Sequence, residues 1–206
     1  TLLLSAVTAA PALAGETEII GIANSARNDS TYGSVSLRYS FGPSLDEGLK
    51  LRADAARTSY DFIMGQTSVT GTVNTVHMLL GYAIKIDDIK LTFYGGLSQR
   101  DRSHDPFVQG VTDESGVAGF TSVEMDTVLA NGTNAAALAE YDGVFGTLYT
   151  GGYIVMPLGS VKIGPTANYV SEGDYTRSAL GIRLQAPISD SFAARIRLTT
   201  APLLTS

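Results

Sequence analysis

The sequence predicts an all-β fold, an antiparallel up-and-down β-barrel of the transmembrane kind, and three observations predict it. Apolar and polar residues alternate with period two along most of the chain. The alternating segments mostly run to ten residues or so, longer than the about five or six usual for globular strands. An export signal precedes them. Strict alternation is what an antiparallel strand with one apolar and one polar face encodes.

The elements follow in chain order. Residues Leu2 to Leu13 are apolar or small, and Ala12-Leu13-Ala14 before Gly15 has the form of a cleavage site. That is the hydrophobic and cleavage region of a secretory signal peptide. A transmembrane helix needs roughly 20 apolar residues, and Glu16 and Glu18 end the run too soon. Residues 1–14 are therefore set outside the fold as the remnant of a leader, and 15–206 is taken as one outer-membrane barrel domain.

Eleven strands are predicted, at 17–25, 33–41, 48–62, 70–85, 88–100, 116–130, 133–142, 145–156, 160–170, 174–186 and 191–200. In the third, Leu49, Leu51 and Ala53 oppose Lys50, Arg52 and Asp54. In the fifth, Ile89, Leu91 and Phe93 oppose Lys90, Thr92 and Tyr94. Val35, Leu37, Tyr39 and Phe41 oppose Ser36, Arg38 and Ser40, and Phe192, Ala194, Ile196 and Leu198 oppose Arg195, Arg197 and Thr199. Leu180, Ile182 and Leu184 oppose Arg177, Arg183 and Gln185. The apolar rows are expected to face lipid and the charged rows the lumen.

Compact connections at 42–47, 86–88, 157–159 and 187–190 alternate with longer ones around 27–32, 65–70 and 101–115. Short turns on one rim and longer loops on the other are the layout of a bacterial outer-membrane barrel. Such barrels have an even number of strands, so a twelfth, returning strand is expected beyond Ser206, with eleven of twelve visible and the C-terminus cut.

Composition excludes several functions. The chain is 44% hydrophobic and 17% charged, with a mean hydropathy of +0.13, which opposes disorder. A net charge of -6 opposes nucleic-acid binding by phosphate neutralisation. Zero cysteines and two histidines leave no thiolate nucleophile, disulfide or histidine-rich metal site. No phosphate-binding or dinucleotide motif occurs, and no cofactor is expected.

The expected lumen charge network comprises Lys50, Arg52, Asp54, Lys90, Glu124, Asp126, Lys162, Arg177, Arg183, Arg195 and Arg197. Charges facing a narrow lumen need partners whatever the function. An internal ion-pair network that plugs the barrel is therefore expected, with a weak anion path as the alternative because basic residues are in excess. His104, in Ser103-His104-Asp105, is expected to be a polar loop residue rather than a general base. His77 is expected to face the lumen as a hydrogen-bonding residue.

The run His77-Met78-Leu79-Leu80-Gly81-Tyr82, then Tyr94-Gly95-Gly96-Leu97, then Asp105-Pro106 with Gly110, Gly116 and Glu124, resembles the BcsS family of cellulose-biosynthesis proteins. Gly164-Pro165, and Tyr175 with Gly181, continue the resemblance, which spans most of 35–200. It implies an exported barrel in the bacterial outer membrane, linked to cellulose production, with no catalytic residues to carry over. The expected function is a non-enzymatic outer-membrane barrel accessory to cellulose or exopolysaccharide biosynthesis or export. Its expected partners are membrane lipid and the cellulose-synthesis machinery or the polymer. A narrow pore for small solutes is the alternative, and a lipid-hydrolysing enzyme ranks last for want of a nucleophile-base pair.

Overall fold

The computed structural model describes residues 2–12, 15–25, 30–42, 44–189 and 192–199, with side chains over 16–23, 30–42 and 44–186. Among these residues there is no helix, and the chain is one antiparallel sheet. The strands are β1 (Leu2–Ala12), β2 (Gly15–Ser25), β3 (Thr31–Ser40), β4 (Gly48–Met64), β5 (Thr67–Ile86) and β6 (Ile89–Asp105). Then come β7 (Glu114–Val128), β8 (Asn134–Asp142), β9 (Thr147–Leu158), β10 (Val161–Glu172), β11 (Tyr175–Ser189) and β12 (Phe192–Thr199). Each pairs with its sequence neighbours, and β1 pairs with both β2 and β12.

The eleven predicted strands correspond one for one to β2–β12. The segment expected to be a leader also carries a strand, β1. Leu2–Ala12 is extended and hydrogen-bonded along its length to β2, with Leu2–Thr8 paired to β12. An uncharged apolar run has the composition of a signal core and also that of a strand able to satisfy two free sheet edges. The place expected for a strand beyond Ser206 is occupied by this segment.

The sheet is strongly curled. Arg38 on β3 bonds Glu124 on β7, and Arg52 on β4 bonds Glu140 on β8. Four strand spacings on a flat sheet would separate such positions by about 19 Å, too far for two side chains to meet at 2.9 and 3.1 Å.

Two connections differ from expectation. The loop expected at 65–70 is a two-residue turn, Gly65-Gln66, because β4 and β5 pair on to Met64↔Thr67. Gly65 has φ 67°, the left-handed conformation that such turns require and glycine adopts freely. The loop expected at 101–115 shrinks to 106–113, because β6 continues to Asp105. Asymmetry between the rims thus resides more in strand extension than in loop length. The rim carrying 106–113 is termed the loop rim below, the other the turn rim.

Two glycines of β5 face inward and make room for tyrosines from the strands on either side. A Cβ at Gly81 would lie 2.3 Å from Tyr94 Cδ1, and one at Gly71 would lie 2.5 Å from Tyr60 Cζ. Each ring thus lies across its cross-strand partner, Tyr94↔Gly81 and Tyr60↔Gly71, covering backbone that glycine leaves bare.

Candidate functional site

The outer face is apolar over a broad belt. On β5 the outward row is Val76, Met78, Leu80, Tyr82, Ile84 and Ile86, all but the half-buried Ile84 exposed. On the neighbouring strands Leu49, Leu51, Ile89, Phe93 and Leu97 are exposed, as are Leu180 and Ile182 on β11. Leu91 and Leu184 lie half-buried in the same rows. Toward the loop rim the outward row turns polar at one level: Arg57 pairs with Asn74, Asn74 with Asp101, and Asp101 with Ser115. The strand tyrosines divide between the two faces. Tyr82 faces out, while Tyr60 and Tyr94 face in, and Tyr153 lies beneath Arg183.

The inner face carries a ladder of alternating charges. Arg38 grips Glu124 with both guanidinium nitrogens, at 3.0 and 2.9 Å. Arg52 donates to Glu124 at 2.9 Å, to Glu140 at 3.1 Å and through Nε to Asp54 at 3.0 Å. Its guanidinium stands 5.5 Å from the Tyr94 ring. Asp54 meets His77 Nδ1 at 3.3 Å, and His77 Nε2 lies 3.5 Å from Asp142. The His77 ring packs on Phe120 with centroids 4.2 Å apart. Asp142 accepts from Ser98 at 2.7 Å and from the Val144 amide at 2.9 Å. Arg100 then lies 3.9 Å from Asp142 and bonds Glu172 at 3.0 Å, and Arg102 also bonds Glu172. Two-pronged arginine–carboxylate contacts fix geometry as well as charge.

The predicted network is present in part. Arg52, Asp54 and Glu124 form its centre. Lys50 is 2% exposed on the same face and reaches Ser40 at 3.4 Å. Lys90 faces inward but pairs with Asp46 of the 41–47 connection at 3.7 Å, at the turn rim rather than in the ladder. Lys162 bonds the Asn134 side chain at 2.8 Å. Arg183 lies 3.8 Å above the Tyr153 ring, and Arg177 and Asp126 are half-buried in inward rows. The side chains of Arg195 and Arg197 lie outside the described residues.

Sequence reasoning left Arg38, Arg100, Arg102, Glu140, Asp142 and Glu172 out of the network. Arg38 stood in a recognised polar row and was accessible to that reasoning. The ladder itself has no basic excess, since Arg38, Arg52, Arg100 and Arg102 meet Asp54, Glu124, Glu140, Asp142 and Glu172. His77 sits where expected. His104 is a strand residue of β6 rather than a loop residue. Its amide donates to Asp113 at 2.9 Å and its Nδ1 lies 3.2 Å from the same carboxylate, so it fastens the 106–113 loop. Among the described residues no three His, Cys, Asp or Glu groups could hold a metal ion.

An antiparallel, curled sheet with an apolar outer belt and an ion-paired inner face defines the class of protein. Residues 25–203 match the family described as cellulose biosynthesis protein BcsS, and the chain belongs to that family. No curated protein sequence matches it. Among solved structures the chain is similar to CdiB from Acinetobacter baumannii, with a TM-score of 0.38 and 10% identity over 97% of this chain. The match spans 60% of the length of that structure.

Proposed function

We propose that the protein is a closed β-barrel of the bacterial outer membrane that serves cellulose production without catalysing a reaction, its lumen sealed by the charge ladder. The observation that carries this reading is the division of faces: apolar and exposed outside, charged and mutually paired inside. The outward apolar row of β5 from Val76 to Ile86, at ~3.3 Å per residue and a tilt of roughly 40°, gives a belt ~25 Å tall, the height of the apolar band in outer-membrane barrels. A soluble barrel would place the apolar row inside. Family membership links the chain to cellulose biosynthesis, and the synthesis machinery or the polymer is its proposed partner.

The leader reading of residues 1–14 belongs to the same proposal. N-terminal sequencing of the protein recovered from outer membranes should begin at Gly15, and retention of Leu2–Ala12 would overturn the leader.

Planar-bilayer recording tests the seal. A silent barrel is expected, and stable single-channel openings would replace the sealed reading with a pore. Deletion of the gene should lower or alter surface cellulose while leaving small-solute uptake unchanged. Unchanged cellulose would remove the proposed role.

A further inference from the structure

At the loop rim the ladder ends in an open depression of about 580 Å³ whose lining includes Arg102, Glu114, Ser115, Phe145 and Glu172. We propose that this cup binds a neutral glucan segment, a specification of the substrate class that rests on the cellulose role proposed above.

The volume lies in the range of ligand sites. Its wall is built rather than incidental. Arg100 and Arg102 both stand over Phe145, at 4.6 and 4.4 Å from the ring centroid, and both bond Glu172. Thr147 donates to the same carboxylate at 2.5 Å. The groups at the mouth are therefore held in place before any ligand arrives, which lowers the ordering cost of binding.

The chemistry of the wall selects the ligand. Arg102 is flanked by Glu172 and, at 3.5 Å, by Glu114, so neither a net anion nor a net cation finds an unopposed charge. A neutral polyol carries donors and acceptors on adjacent carbons. Its hydroxyls can accept from guanidinium and donate to carboxylate at once, which an ammonium cannot do, and they bring no net negative charge against Glu114 and Glu172, which a phosphate does. Glu114 is half exposed and can turn toward a ligand without breaking the buried part of the ladder. Val144 and Phe145 supply the apolar wall against which the C–H faces of a sugar ring rest. Below the cup, the pairs from Arg100 down to Arg38 close the path, so the site holds a chain segment rather than passing it on.

The test is calorimetric titration of the full chain in detergent micelles with cellotetraose, and with inorganic phosphate as the anionic probe. Cellotetraose should bind and phosphate should not. Glu114→Gln should weaken cellotetraose at least ~10-fold, the scale of one lost charge-assisted hydrogen bond, with unchanged unfolding in urea, and Phe145→Leu should weaken it as well. Absence of cellotetraose binding, phosphate binding in its place, or full affinity in both variants would overturn the cup. The two proposals fail separately. Cellotetraose binding with normal cellulose in the deletion strain overturns the cellular role alone, and lost cellulose without binding overturns the site alone.

Discussion

The four strands β4–β7 have 17, 20, 17 and 15 residues, whereas β8, β9 and β10 have 9, 12 and 12. In β4, β5 and β6 the extra length stands above the apolar belt, beyond the level of Arg57, Asn74 and Asp101, while β7 passes that level by one residue, Glu114. The two walls also divide the charges. Long strands β4 and β6 carry Arg52, Arg100 and Arg102, while the short strands bring Glu140, Asp142 and Glu172 at or near their loop-rim ends. The tall wall thus reaches across to the carboxylates of the short one, and the interior is filled by contacts between walls more than by contacts along either.

The largest loss should come from cutting a contact that crosses the interior. Glu124→Ala removes the two-pronged partner of Arg38 and one of the three carboxylates on Arg52, in a buried setting, and should cost about 3–5 kcal/mol. Glu114→Ala, at the exposed end of the ladder, should cost ~0–1 kcal/mol. Urea unfolding of both variants in micelles measures the difference, and equal midpoints would dissolve the distinction between ladder and rim.

A smaller effect separates belt from extension on one face of one strand. Met78→Arg places a charge in the belt and should cost ~2–4 kcal/mol, whereas Asn74→Arg at the polar level should cost ~0–1 kcal/mol. Heat-modified gel mobility after assembly into vesicles reads it out, and equal damage would misplace the upper edge of the belt.

The smallest effect is expected above that edge. Ile63 and Phe107 are 78% and 83% exposed, and serine at either position should change stability by no more than about 0.5 kcal/mol. A larger loss would mean that the extension is packed against something.

Strand number and facing were legible where one face is apolar and the other polar, as in Leu49 to Asp54 and Ile89 to Tyr94. Legibility stopped where that contrast stops. From Gln99 to Asp105 the outward residues are Gln99, Asp101, Ser103 and Asp105 and the inward ones Arg100, Arg102 and His104, so both rows are polar and period two vanishes. From Asp101 on the segment therefore read as a loop, although it is strand to Asp105. The partners in the ladder were not legible for a different reason. Arg38 and Glu124 are 86 residues apart and meet only because of curl, which alternation does not report. Glu140 and Asp142 were hidden beside an alanine-rich stretch whose inward and outward positions look alike.

That sequence separation has a kinetic meaning. Contacts such as Arg38–Glu124 and Arg52–Glu140 close loops of more than eighty residues, and such closures come late because their entropy must be offset before they contribute. Hairpins between neighbouring strands are local and come first, while the guanidiniums and carboxylates stay hydrated. The ladder therefore acts as a latch set at the end of assembly. Weakening it should leave the rate of assembly nearly unchanged and appear chiefly as faster unfolding.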